Sequence, residues 1–307
     1  MNKKLLRLSF LLLLIPFVAN SQISRKRWKA YRIEFDFGVG ASNFLGELGG
    51  ANQVGTHALR DLELSQSRLA FSGGMRYRIA QWFALHPRIT YGKVAGDDKL
   101  TTEFFRNYRN LNFKSNILEV AVTGELSFIK EQMGRRYRLR GVRGIRNIEI
   151  SAYGFAGIGA FYFNPKGELN GKFYALQPLG TEGQGAIETR KKYKRIQVCV
   201  PLGLGFKYAI DRNWSVGLEL GLRHTFTDYI DDVSKTYVDP SLLQRENGQL
   251  SPLLADKSRP EEYIPDYTYI TEAGQQRGDP RHNDSYLFAI FSLNYRLKTG
   301  RVNYPMF

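Results

Sequence analysis

Alternation between apolar and polar residues is the dominant pattern along this chain. The stretch "WSVGLELGLR" has an apolar side chain at every second position, with small or charged side chains between them. Successive side chains of a β-strand point to opposite faces, so a period of two predicts strands with one apolar and one polar face. The period recurs in eight segments, at 32–43, 68–79, 82–94, 113–129, 147–163, 193–210, 214–227 and 285–298.

The connections between these segments alternate in length. Residues 80–81 and 211–213 form tight turns, whereas 44–67, 95–112, 164–192 and 228–284 are long. An even number of strands, with short turns at one end and long loops at the other, is typical of outer-membrane barrels. We therefore predict an all-β fold, an eight-stranded antiparallel transmembrane barrel with long extracellular loops. A soluble β-sandwich is the alternative, but it gives no reason for such regular alternation of loop lengths.

The N-terminal sequence predicts export. "MNKKLLRLSFLLLLIPFVANSQ" has a basic start, a short apolar run and small residues before Gln22, as secretory signal peptides do. We assign residues 1–21 to a signal peptide, 22–30 to a periplasmic segment, 31–298 to the barrel and 299–307 to a periplasmic tail. Aromatic residues make up 13% of the chain, which fits the aromatic girdles of a barrel in the outer membrane.

The formal charge of +15 narrows the choice of partners. A basic excess often indicates nucleic acid, but an exported protein meets little of it, so we expect no nucleic-acid partner. Phosphate-bearing lipids of the outer membrane or an acidic protein fit better. The single cysteine, Cys199, rules out an internal disulfide and a cysteine-based metal site.

The polar faces of the predicted strands carry acids and bases in similar numbers. An eight-stranded barrel is just wide enough for side chains to fill it, and buried charges must be paired. We predict an ion network that plugs the lumen, and no catalytic residues. Its members are Glu34, Asp36, Arg76, Arg78, Arg88, Glu119, Glu125, Lys207, Glu219 and Arg223.

Three carboxylates close the seventh segment, in "HTFTDYIDDVS". Asp228, Asp231 and Asp232 lie where this strand should leave the membrane for the longest loop. Aspartates at such places commonly accept hydrogen bonds from turn amides. Carboxylate oxygens also suit a hard divalent cation such as Ca²⁺. A cation bound at the extracellular rim is therefore the second interpretation. We predict no other cofactor.

The turn between the fourth and fifth segments, "KEQMGRRYRLRGVRGIRN", is longer than a hairpin needs and strongly basic. On the predicted topology it faces the periplasm. We predict a docking face for a periplasmic partner, and a rim that contacts anionic headgroups is the alternative. The candidate docking residues are Arg135, Arg136, Arg138, Arg140 and Arg143.

Four motifs in order, "GVGASNFLGELGG", "YGFAGIGAFYFNPKG", "LQPLGTEGQG" and "TFTDYIDDVS", resemble the PorG-like outer-membrane family of Bacteroidetes. The resemblance covers roughly residues 30–297. It implies a non-enzymatic barrel of the type IX protein secretion machinery, associated with a periplasmic ring of PorK-like and PorN-like proteins. A barrel enzyme, either a protease or a lipid-modifying enzyme, and a surface adhesin that binds through its loops are the other functions that we consider.

Overall fold

The computed structural model describes residues 28–46, 48, 64–131, 149–262 and 267–300. In this part of the chain nine strands form one antiparallel sheet. They are β1 (Ile33–Leu45), β2 (Arg68–Arg78), β3 (Phe83–Asp97), β4 (Asn112–Ile129), β5 (Ile150–Leu169), β6 (Lys172–Ala175), β7 (Ile196–Ala209), β8 (Trp214–Thr225) and β9 (Ser285–Leu297).

Eight of these strands close into a barrel, as the alternation predicted. Each pairs with its neighbours along the chain, except that β5 pairs with β7 across the short β6. The first and last strands close the ring, from Ile33 opposite Leu297 to Leu45 opposite Ser285. The ninth strand, β6, was not predicted. It pairs only with the end of β5 and extends that hairpin beyond the barrel wall.

Short helices occur only in the long connections of the described chain. They are α1 (Phe104–Arg109), α2 (Leu176–Leu179), α3 (Pro240–Asn247) and α4 (Leu250–Ala255). Single 3₁₀ turns lie at Trp28–Ala30, Leu64–Gln66, Asp98–Leu100, Pro260–Glu262 and Thr268–Thr271. None of the helices in these residues is long and apolar enough to cross a membrane.

The outer surface of the barrel is an apolar belt. On β4, the large apolar side chains at alternate positions from Leu118 to Phe128 face outward and are exposed, while the intervening residues from Glu119 to Glu125 are buried. Ten residue steps along a strand cover roughly 33 Å, which a tilt of about 40° reduces to about 25 Å, the height of the lipid-facing band of an outer-membrane barrel. The belt therefore matches the thickness of the membrane.

Two prolines interrupt the sheet without shifting its register. Pairing of β2 with β3 is absent between Gly74–Arg88 and Tyr77–Leu85, beside Pro87. Pairing of β5 with β7 is likewise absent between Ala156–Leu202 and Gly159–Cys199, beside Pro201. Proline has no N–H to donate to a ladder. Each proline still lies in register with its other neighbouring strand, so the barrel stays closed.

Glycines on the inner face make room for large side chains. A Cβ at Gly74 would lie 2.6 Å from His86 Nε2 and 3.0 Å from Asp36 Oδ1. A Cβ at Gly205 would overlap the ring of Tyr153. These glycine positions are therefore a packing requirement of a narrow, filled barrel.

The outward assignment predicts how β8 responds to charge. Leu220 is half exposed in the middle of the lipid-facing belt. Leu220→Arg should destabilise the inserted barrel by about 2–4 kcal/mol, because an arginine near the bilayer midplane loses its hydration. Urea titration in lipid vesicles would measure this, with Leu220→Ala as the control for lost side-chain volume. Equal stability of the two variants would contradict the assignment.

Candidate functional site

The structure places all ten residues of the predicted lumen network on the inner face of the barrel. They come from six strands, β1, β2, β3, β4, β7 and β8. Nine are buried, and Arg78 at the end of β2 keeps 16% of its side chain exposed. The period of two brings them together because inward positions of neighbouring strands lie side by side.

Arg76 is at the centre of the network. Its Nε lies 2.7 Å from Glu125 Oε1 and its Nη1 lies 2.7 Å from Glu34 Oε1. Its Nη2 donates to Glu219 Oε1 at 2.9 Å. One guanidinium thus joins β1, β4 and β8 to its own strand, β2. The fixed fork of N–H donors lets arginine satisfy several carboxylates at once.

Glu34 is the matching acceptor. Besides Arg76, it accepts hydrogen bonds from Lys207 Nζ at 3.0 Å, Arg78 Nη2 at 3.2 Å and Arg296 Nε at 3.0 Å. A fully buried carboxylate surrounded by four bases is well compensated for its lost hydration. Because Arg296 belongs to β9, Glu34 also ties together the two strands that close the barrel.

Glu131 belongs to the network but was missing from the prediction. Its two carboxylate oxygens accept from Arg296 Nη1 at 2.7 Å and Nη2 at 2.6 Å. Glu131 lies just beyond the end of β4 and outside the alternating pattern. The one sequence signal available was that it is the only acid in a basic turn.

His86 lies between two acids of the network. Its Nε2 is 2.8 Å from Asp36 Oδ1, and its Nδ1 is 2.8 Å from Glu125 Oε1. Arg76 Nη2 and Arg88 Nη2 each lie 3.4 Å from the same Nδ1, so the ring is held by acids and bases of the network together.

His86, Glu125 and Glu219 also form the one cluster in the described chain whose ligand atoms lie close enough together to hold a metal ion, within 4.8 Å of one another. The same carboxylates already bind arginines. Arg76 contacts both, and Arg88 Nη1 forms an ion pair with Glu219 Oε2. Guanidinium groups thus occupy the positions next to these oxygens and repel a further cation. We assign the cluster to the ion network.

A second ion pair lies closer to the extracellular end. Arg223 Nε donates to Glu119 Oε2 at 3.1 Å, and the Tyr286 hydroxyl donates to the same oxygen at 2.8 Å. Glu219 and Arg223, four residues apart on β8, therefore bind different partners across the lumen. The buried thiol of Cys199 lies 3.9 Å from Glu119 Oε2, so it lines the interior.

Aromatic side chains fill the lumen above this pair. Phe161, Phe163, Tyr286 and Phe288 are buried in one apolar cluster. Tyr193 stacks on Phe163 with ring centroids 5.9 Å apart. The interior thus has an ionic half and an aromatic half, and side chains fill both.

The three aspartates at the end of the seventh segment lie above the aromatic half, and all three are buried. Asp231 accepts from the backbone amides of Leu48 at 3.2 Å and Val233 at 2.9 Å. Asp232 accepts from the Tyr193 hydroxyl at 2.6 Å and from the Thr181 hydroxyl. Asp228, Asp231 and Asp232 are not among the described groups whose ligand atoms converge closely enough for a metal.

The aspartates are buried because the long loops fold back over the barrel mouth as a cap. Arg277 Nη1 donates to Glu182 Oε1 at 3.0 Å and to the carbonyl oxygen of Asp232 at 2.6 Å. Glu182 in turn accepts from the amides of Ser234 and Lys235. The two long connections that carry these residues thus cover the extracellular end.

Most of the basic turn lies outside the described residues. Arg135, Arg136, Arg138, Arg140 and Arg143 all fall within 132–148, so their role as a docking face stays a prediction. The signal peptide at 1–21 also lies outside the described chain.

A closed, antiparallel eight-stranded barrel with an apolar belt of membrane height and a charged, filled lumen defines an outer-membrane β-barrel protein. The chain belongs to the outer membrane protein beta-barrel domain family, whose model matches residues 10–240. Its location is therefore the outer membrane. No sequence among the curated proteins matches the chain.

Several solved barrels are similar to it in structure. Ail, the attachment invasion locus protein of Yersinia pestis, in complex with the heparin analogue sucrose octasulfate, is 8% identical, with 87% of this chain and 99% of Ail covered and a TM-score of 0.38. The N-terminal barrel of Pseudomonas aeruginosa OprF is 8% identical, with 87% and 98% covered and a TM-score of 0.33. OprG from Pseudomonas aeruginosa is 9% identical, with 87% and 97% covered and a TM-score of 0.32.

The ion network predicts a large cost for removing its centre. Arg76→Met keeps an unbranched apolar stem but leaves Glu34, Glu125 and Glu219 buried with one cation fewer. The free energy of unfolding should fall by about 3–5 kcal/mol. Arg245→Met is the matched control, because Arg245 pairs with Glu246 on the exposed surface of α3 and such pairs contribute little. Urea midpoints that shift equally for both variants would argue against a buried network.

The cap predicts a pH dependence. Burial raises the pKa of Asp232 to about 6, although nearby Arg277 acts to lower it. Because this folded-state pKa lies above the ordinary value of 3.8, protonation of Asp232 favours the folded cap. The stabilisation is fully present below about pH 4 and is lost as the pH rises through about 6.

Asp232→Asn, which keeps the side chain neutral, should remove this loss. Relative to the variant, the wild-type cap should lose on the order of 2–3 kcal/mol of opening free energy between pH 4 and pH 7. Hydrogen exchange of the cap amides would measure it. Asp279→Asn changes an exposed carboxyl of the same loop and should keep the wild-type profile. Parallel profiles for wild type and Asp232→Asn would refute the assignment.

Proposed function

We propose that this protein is a non-enzymatic outer-membrane component or accessory of a type IX protein secretion machinery. In this proposal the barrel docks a periplasmic ring of PorK-like and PorN-like proteins through its basic turn. The observation that carries the proposal is the filled lumen. Paired charges occupy one half of it and packed aromatic rings the other. Because side chains fill the interior, we assign the function to the two ends of the barrel and not to transport through the lumen.

The periplasmic end has the features of a docking face. The turn from Lys130 to Asn147 carries seven bases and one acid, and the acid, Glu131, is bound to Arg296. Outer-membrane barrels usually have short periplasmic turns, so an enlarged basic turn suggests a contact below the membrane. The four motifs that resemble the PorG-like family support a secretion partner in particular. Opposite charge on that partner would steer the association and make it sensitive to salt.

Surface adhesion is the second candidate, and the cap favours it. Phe105, Leu253 and Tyr269 expose more than half of their surface on the extracellular side, and Phe104 and Tyr267 pack edge to face beside them. Exposed aromatic residues are typical of binding surfaces. An adhesin should lose binding when these side chains are replaced by serine, and it should tolerate changes in the periplasmic turn.

Charge reversal of the turn tests the docking proposal. Changing Arg135, Arg136, Arg138 and Arg140 together to glutamate should leave the barrel inserted, since none of the four belongs to a strand segment, β4 ending at Ile129 and β5 beginning at Ile150. It should abolish co-purification of the periplasmic ring from native membranes and stop secretion of the machinery's cargo. The matched control reverses four exposed bases of the extracellular loops, Lys99, Lys191, Lys194 and Arg245. Unchanged partners and secretion in the turn variant would assign the docking role to another surface.

A further inference from the structure

A pocket opens at the periplasmic end of the barrel. Trp28 on the N-terminal turn and the tight turn at Ala80 and Gln81 form part of its wall. Its polar groups come from the ends of β2 and β4 and from β7. About 610 Å³ of space lies between its lining atoms, part of it open to solvent. The pocket therefore begins at the ionic half of the lumen and ends in the periplasm.

The acids in this pocket are already bound. Glu125 is held by Arg76 and His86, and Glu131 accepts two hydrogen bonds from Arg296. Arg76 is fully used in turn, because each of its three nitrogens donates to a carboxylate. These groups neutralise one another and add little net charge to the pocket.

Three other bases in the lining have donors to spare. Lys207 is buried and donates only to Glu34, so two of its three N–H groups are unused. Arg78 donates one hydrogen bond, from Nη2 to Glu34. Lys130 is half buried and makes no hydrogen bond or ion pair with the described residues. The pocket thus combines saturated acceptors with surplus donors and positive charge.

Such an arrangement selects an anion. A cation would meet three bases, and an apolar group would strip water from N–H donors without replacing their hydrogen bonds, which is unfavourable. A carboxylate can accept from an arginine fork and from lysine ammonium groups together. The guanidinium of Arg32 lies over the Trp28 ring, 5.2 Å from its centroid, at the mouth of the pocket. This extends the positive surface beyond the size of a small ion, toward that of a peptide.

We propose that this pocket binds a carboxylate side chain carried by an acidic segment of a periplasmic protein, with Lys130, Arg78 and Lys207 as its donors. The inference rests on the proposed docking function and assigns part of it to residues outside the basic turn. The partner would therefore present an acidic peptide that inserts one side chain into the barrel mouth.

Calorimetric titration of the full-length protein in detergent with a peptide of five glutamates tests the proposal. The wild type should bind this peptide and should not bind a peptide of five glutamines. Lys130→Gln should weaken binding roughly tenfold or more, because it removes a donor from a partly desolvated charge pair. Lys130→Arg should restore most of the affinity. Lys29→Gln is the matched control, since Lys29 is an exposed base at the same end that does not line the pocket.

The other outcomes overturn the proposal. Equal weakening by Lys130→Gln and Lys29→Gln would show diffuse attraction to a basic surface. Binding of free glutamate or inorganic phosphate as tight as that of the peptide would show a site for small anions. Arg78→Gln removes a second proposed donor and should also weaken binding of the peptide. A thermal melt checks that each variant is folded. If the peptide does not bind while charge reversal of the turn still removes the ring, the pocket inference fails and the docking proposal stands. If the peptide binds but charge reversal of the turn does not remove the ring, the pocket inference stands and docking through the turn fails.

Discussion

The contact between Arg76 and its three carboxylates is the constraint on which the rest of the barrel depends. A narrow barrel places inward side chains from opposite walls within reach of one another, and charged ones are tolerated only as a complete set. Arg76 reaches Glu34, Glu125 and Glu219 on three other strands. Strand register, the inward glycines and the strand ends at the periplasmic mouth all have to be compatible with that single guanidinium.

The filled interior separates two surfaces that can contact other molecules, the cap and the periplasmic mouth. The wall between them contacts lipid. The cap faces outward, and the periplasmic mouth carries positive charge that is only partly compensated inside the barrel. Since Glu131 ties the start of the basic turn to Arg296 on the last strand, the mouth is mechanically continuous with the wall. A partner held there would be anchored to a rigid body in the membrane.

Much of the fold could be predicted from the sequence because a period of two encodes strand, face and register together. The ten lumen residues followed from the same period. The pattern carried no information on which charges meet, since Arg76 and Glu219 are 143 residues apart and the closure of the barrel brings them together. It also missed Glu131 and β6, which lie beyond the alternating segments, and it gave no sign that Asp232 is buried, because loop packing has no periodicity.

The seam between β1 and β9 constrains how the molecule is assembled. The described parts of the connection from Phe226 to Asp284 belong to the cap. A lumen of this width, occupied by side chains, has no room for a chain to pass. The cap segments must therefore cross the bilayer while the first and last strands are still apart. Glu34 and Arg296 meet only when those strands join. Their ion pair therefore forms only after the cap has reached the extracellular side, and it then stabilises the closed seam.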